Sequence, residues 1–193
     1  MCLESTLVSE ANLLAIKSLS VSFGGLKALS NVDLHLNKNE VVGLIGPNGA
    51  GKTTLFNALS GLADVESGEL EINGKQHAWP KPYELVDLGI SRTLQGVGLF
   101  PELTVLENVM IGANKSARSG LISSALGISG RDETKLRQKA LSALERVYAS
   151  GIANQRADSL AYPVTKRVAI ARALVSEPKI LLLDEPAGGL GAQ

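Results

Sequence analysis

Residues 46–54 read G-P-N-G-A-G-K-T-T, set between an apolar run at 41–45 (Val-Val-Gly-Leu-Ile) and a helix-compatible stretch at 55–59 (Leu-Phe-Asn-Ala-Leu). The pattern G-x-x-x-x-G-K-[ST] works when a strand delivers the chain and a helix carries it away. Backbone N–H groups of the loop and the positive end of the helix dipole then converge on one set of phosphate oxygens. Gly46, Gly49 and Gly51 are expected to supply backbone conformations that a Cβ forbids. Lys52 is expected to reach the β- and γ-phosphates, and the Thr53 hydroxyl to ligate Mg²⁺. Pro47, Asn48, Ala50 and Thr54 belong to the same nucleotide-binding loop. The pattern with its flanks implies that the chain binds a nucleoside triphosphate.

Charge and composition narrow the partners. The 193 residues carry 19 basic and 19 acidic side chains, so no overall electrostatic attraction to nucleic acid or anionic lipid is implied. Hydrophobic residues make up 45% and aromatic residues only 4%, which describes an aliphatic globular chain of one domain. No apolar run is long enough to span a bilayer, and the start, Met1-Cys2-Leu3-Glu4-Ser5-Thr6, lacks a basic region followed by an apolar core. A cytoplasmic location is therefore expected. Cys2 is the single cysteine, which excludes an internal disulfide and a cysteine-cluster metal site.

Alternation marks the first third. Val21 and Phe23, then Val32, Leu34 and Leu36, read as two strands broken at Phe23-Gly24-Gly25, and Glu69-Leu70-Glu71-Ile72 precedes the hairpin signal Asn73-Gly74. These predict an antiparallel sheet beside a mainly parallel one containing 41–45 and 180–184, both continuous apolar runs suited to burial on two faces. Residues 114–129, rich in Ser, Gly and Ala, read as a surface excursion. Residues 134–148 place Leu136, Ala140, Ala143, Leu144 and Val147 on one helical stripe, and 164–175 reads as a second helix begun by Pro163.

A run of aliphatic residues at 180–183 ends in Asp184 and Glu185. A carboxylate at the carboxyl end of a parallel strand beside the phosphate-loop strand is where a Mg²⁺-associated acid belongs. Asp184 fits that role. Glu185 then projects toward the γ-phosphate and polarises the attacking water, as general base or positioning group.

With those residues in place the chain resembles the nucleotide-binding subunits of ABC transporters from about Leu14 onward. Gly89-Ile90-Ser91-Arg92-Thr93-Leu94-Gln95 resembles the family's Q-loop, and 99–109 (Leu-Phe-Pro-Glu-Leu-Thr-Val-Leu-Glu-Asn-Val) the segment after it. Together with Ser22-Phe23-Gly24-Gly25-Leu26-Lys27-Ala28-Leu29, these are similar to the ATP-binding subunits of branched-chain amino acid importers. The resemblance implies one α/β domain over 1–193. It would have a P-loop NTPase core, an antiparallel β subdomain and an inserted helical subdomain at 96–160. It implies ATP and Mg²⁺ as ligands, Phe23 stacked on adenine, and Gln95 touching Mg²⁺ or water and reporting nucleotide state. A second ATP-binding subunit and a transmembrane permease are the implied partners, on the cytoplasmic face of the membrane, with no nucleic acid.

The family's signature, usually Leu-Ser-Gly-Gly-Gln, serves the opposite subunit's ATP. The matching stretch here is Leu160-Ala161-Tyr162-Pro163-Val164. Ala161 lacks the serine hydroxyl, Pro163 has no N–H and Val164 lacks the glutamine amide. Each hydrogen bond to a charged oxygen contributes about 1.5–3 kcal/mol, so losing two weakens transition-state stabilisation at the partner's site by roughly 10²–10⁴-fold. A heterodimer keeps one good site, so a different partner subunit is expected; the alternatives are a tolerated subfamily variation, a catalytically weak regulatory subunit, and a soluble non-transport protein acting on nucleic acid, which the zero charge opposes. Family members continue past the acids to a γ-phosphate-contacting histidine. The sequence in hand ends at Gln193, with Gly191 where the family has Asp or Asn, and His35 and His77 lie too early for that role. An exposed sheet edge, and so low solubility or dependence on a partner, is the corresponding expectation.

Overall fold

The alternation of the first third builds a sheet whose core positions are Leu14, Ile16, Leu19 and Val21, all buried. The step from Ile16 to Leu19 breaks the period of two, and the backbone answers with a register shift there, Ser18 taking a left-handed φ of 51°. The computed structural model describes residues 12–93, 97–113 and 130–185. Chain contacts divide it into two compact units, Met1–Glu84 and Leu85–Gln193.

In the first unit β1 (Asn12–Phe23) pairs antiparallel with β2 (Leu26–Asn37) and with β3 (Ser67–Ile72), and β4 (Lys75–His77) extends the sheet to the order β2-β1-β3-β4. Both turns follow the sequence: Gly24 bends the first, and Asn73 and Gly74 turn the β3–β4 hairpin with φ of 52° and 70°. Helix α1 (Lys52–Leu59) follows the phosphate loop and buries Leu55, Ala58 and Leu59.

The run at 41–45 departs from its expected place as a parallel strand. It belongs to no sheet among the described residues, and Val41 and Ile45 are 96% and 98% exposed. A strand apolar on every side needs a hydrogen-bonded neighbour on each edge and a layer on each face. The composition encodes that demand, and no described strand meets it.

The second unit holds a two-stranded parallel sheet of β5 (Ile90–Arg92) and β6 (Ile180–Leu182), in the register Ile90 to Ile180, Ser91 to Leu181 and Arg92 to Leu182. Strand β6 stops at Leu182, so Asp184 lies just beyond it rather than within it. Around this sheet come α2 (Leu85–Leu88), α3 (Val105–Ile111), α4 (Gly130–Arg146) and α5 (Tyr162–Leu174). Helices α3, α4 and α5 share one core of Val105, Leu106, Val109, Leu144, Val168 and Ala171. The stripe on α4 is core packing, as its spacing indicated: Ala140, Ala143, Leu144 and Val147 are all buried. Residues 114–129 lie outside the described residues.

Two local devices set the entry to α3. Thr104 and Glu107 form a reciprocal capping box, and the Thr104 hydroxyl holds the Glu107 carboxyl below the usual glutamate range. Asn108, fully buried, accepts from the Phe100 amide at 2.7 Å and donates to the carbonyls of Phe100 and Thr104, both at 3.0 Å, pinning the 100–104 turn. After α3, Gly112 runs so close to α5 that an added Cβ would meet the Arg172 carbonyl oxygen at 2.0 Å.

Asn108→Ala should therefore cost about 2–4 kcal/mol in urea unfolding, because it orphans several buried backbone groups at once. Gly112→Ala should cost about 1–3 kcal/mol by forcing α3 and α5 apart. Because Glu107 is lowered in the folded state, the box stabilises above the unfolded glutamate pKa and that contribution fades as pH falls through the lowered folded value. Thr104→Ala should flatten this acid-side slope in a stability-versus-pH series.

Candidate nucleotide-binding and catalytic site

In the first unit the phosphate loop takes the conformation its glycines permit. Gly49 and Gly51 have φ of 82° and 86°. At Gly51, which caps α1, a Cβ would also lie 2.6 Å from Leu29 Cδ2 and 2.8 Å from the Ala28 carbonyl oxygen. Gly46 differs from expectation. It stays outside the left-handed region, and its limit is a neighbour, since a Cβ there would approach Ala50 Cβ to 3.2 Å. The Ala50 amide donates to the Pro47 carbonyl at 3.2 Å and closes the turn, with Asn48 at its tip.

Helix α1 starts with no side-chain cap and no acidic residue in its first turn, so its own first turn offers no carboxylate to the dipole end beside Lys52, Thr53 and Thr54. The Lys52 ammonium curls back over the loop and donates to the carbonyls of Gly46 at 2.7 Å and Pro47 at 2.8 Å. Charged phosphate oxygens are stronger acceptors than these carbonyls. Phe23 ends β1 and is 51% exposed, available for stacking. His35 lies in β2 and His77 in β4.

In the second unit the acids follow β6. Asp184 accepts from the Arg92 guanidinium at 2.9 Å, with the two side chains only 7% and 9% exposed. The Asp184 amide donates to the Thr93 hydroxyl oxygen at 3.2 Å, and the Thr93 amide donates to the Leu182 carbonyl at 3.0 Å. The parallel ladder thus continues past its last strand residues into side-chain bonds that orient Asp184. Glu185 follows with a left-handed φ of 47°, a conformation non-glycine residues keep when the surroundings enforce it. Part of that enforcement is Lys166 on α5, which donates to the Glu185 carbonyl at 2.8 Å and lies 5.2 Å from the Tyr162 ring centroid. Gln95 falls outside the described residues.

The signature-like stretch forms the start of α5. Leu160 precedes it, Ala161 is the cap and makes no side-chain bond, and Pro163 occupies the first turn. The Val164 amide is spent on the Ala161 carbonyl at 2.9 Å and the Thr165 amide on the same carbonyl at 3.1 Å. At the other end of α5, Arg172 donates to the carbonyls of Val97 at 2.9 Å and Gly98 at 2.6 Å, and burial pulls its pKa below the ordinary arginine value. Arg92, Thr93, Lys166 and Arg172 were not singled out from sequence as site residues. The only available signal was their position, flanking Gln95 or following the signature.

Among the described residues no cluster of three or more His, Cys, Asp or Glu could hold a metal alone. The Asp184 carboxylate beyond β6 is an oxygen donor of the kind Mg²⁺ takes, one or two protein oxygens with the rest of its shell from phosphates and water. No helix among the described residues is long and apolar enough to cross a membrane.

Comparison with known proteins agrees with this chemistry. The family model described as ABC transporter matches residues 29–188. The chain is 41% identical over 180 residues to the high-affinity branched-chain amino acid transport ATP-binding protein LivG of Salmonella typhimurium, covering 92% of the chain and 71% of LivG. It is 36% identical, with the same coverage, to the corresponding protein BraF of Pseudomonas aeruginosa. A crystal structure of an ABC-transporter ATP-binding cassette in its ADP conformation superposes with a TM-score of 0.77 at 34% identity, covering 93% of this chain and 71% of that one. The phosphate loop, the acid pair and these matches together establish that the chain belongs to the ABC transporter family and carries the P-loop fold of its ATP-hydrolysing cassettes.

Proposed function

We propose that this chain is the ATP-binding, energy-coupling subunit of an ABC importer whose solutes are branched-chain amino acids. The observation that carries the reading is the uncapped phosphate loop with its folded-back Lys52, in a chain 41% identical to LivG. Residues 1–193 act as one cassette, with 96–160 as its helical subdomain. It works on the cytoplasmic face of the membrane against permease subunits.

In this reading Phe23 stacks on adenine, and the phosphate loop 46–54 with Lys52 holds the β- and γ-phosphates. Thr53 and Asp184 would hold Mg²⁺, which when bound would supply positive charge to the phosphoryl group. Glu185 would orient the attacking water and accept its proton, and Gln95 would serve the metal or that water by the family's Q-loop pattern. ATP closes two cassettes together and hydrolysis releases them, which moves the permease.

The second cassette is a different subunit. At the start of α5 the proline has no N–H and the next two amides serve the Ala161 carbonyl, which supports a weak contribution to the partner's ATP. This chain's own ATP would sit under the partner's intact signature. A catalytically weak regulatory subunit is the second reading, favoured by the same start of α5.

Lys52→Ala should weaken ATP binding by roughly 10–100-fold in calorimetry, the loss of one charged donor. Glu185→Gln should leave ATP affinity within about twofold while turnover falls by roughly 10²–10⁴-fold; equal turnover for variant and wild type would select the weak-subunit reading. Hydrolysis by the purified chain alone should be slow and should rise on adding a cassette with an intact Leu-Ser-Gly-Gly-Gln signature. Vigorous turnover without it would sink the asymmetric dimer.

A further inference from the structure

The Arg92 guanidinium holds one oxygen of the acid that the reading above gives to Mg²⁺. We propose that Arg92 is a positioning residue that tunes the divalent-cation site by competing for Asp184. The inference rests on the reading of Asp184 above.

The geometry carries it in two ways. First, Arg92 occupies Asp184 Oδ2 at 2.9 Å while the Thr93 hydroxyl fixes the Asp184 amide, so the carboxylate is held from both its side chain and its backbone. A cation approaching this carboxylate would share it with the guanidinium. Second, both side chains are more than nine-tenths buried, where water screens charge poorly. A full positive charge in hydrogen-bond contact with the carboxylate therefore opposes a doubly charged ion approaching the same group. Arg92 orients the acid and, by the same contact, weakens its hold on the metal. It is also the last residue of β5, paired with Leu182, so metal occupancy at Asp184 is felt directly by that strand.

The test uses the wild-type chain with Arg92→Gln, which keeps a donor and drops the charge, and Arg92→Lys, which keeps the charge. Binding of a non-hydrolysable ATP analogue is measured by calorimetry in EDTA and across a series of free Mg²⁺ concentrations. The half-saturating Mg²⁺ concentration should fall by about fivefold or more in Arg92→Gln and stay within about twofold of wild type in Arg92→Lys. Binding in EDTA should be equal in all three. A purely structural role would weaken both measurements together, and that result, or an unchanged Mg²⁺ dependence in Arg92→Gln, overturns the proposal.

Should Arg92→Gln not fold, the Arg92 side-chain ¹⁵N resonance of the wild-type chain decides. It should shift when Mg²⁺ is added to the analogue complex, and an unmoved resonance overturns the proposal. A wild-type chain whose analogue binding ignores Mg²⁺ removes the underlying reading of Asp184 as well; a wild type that responds beside a variant that responds identically removes only the role of Arg92.

Discussion

The second unit carries an ion pair almost wholly out of water, the Asp184 carboxylate against the Arg92 guanidinium at 2.9 Å. Removing a charge from water costs several kcal/mol unless a partner repays it with good geometry. Arg92 is that partner, and the short ladder of β5 and β6 is what brings it there. Three aligned residue pairs place Arg92 opposite Leu182, two residues before the acid. The register thus sets a functional geometry as well as a packing arrangement, because a shift of one residue would turn Arg92 to the other face of the sheet.

The phosphate loop solves the opposite electrostatic problem. It gathers donors with weak or no side-chain acceptors: a helix start with no side-chain cap, and an ammonium resting on neutral loop carbonyls. Such a site favours whatever brings dense negative charge. In the reading proposed here, a triphosphate is the species that satisfies it.

Helix α5 serves three demands at once. Its Val168 and Ala171 fill the helical core, its Arg172 secures the carbonyls of Val97 and Gly98, and its Lys166 secures Glu185. The changes at Ala161, Pro163 and Val164 leave these duties untouched, because proline in a first helical turn costs no hydrogen bond within the helix. The fold therefore tolerates a first turn that is poor in donors to a nucleotide. Stability and signature chemistry are separable along one helix.

Much of this was legible in order of residues alone. The glycine and lysine spacing at 46–54, the strand alternation with Asn73-Gly74, the α4 stripe, and the acids after an aliphatic run are all local or periodic signals. Backbone sterics and the two side-chain periods act on them directly. Other features were invisible for a physical reason: they depend on groups far apart in sequence. Arg92 meets Asp184 across ninety-two positions and Lys166 meets Glu185 across nineteen. The limit at Gly46 is a neighbouring side chain rather than its own φ, and 41–45 remains unpaired because pairing is a property of neighbours. The sequence by itself marked a loop patterned for phosphate and an acid pair after an aliphatic run; only the tertiary structure decided that Arg92 accompanies Asp184 and that Lys166 holds the Glu185 carbonyl, since burial and approach distance set charge energies and neither is written in any one segment.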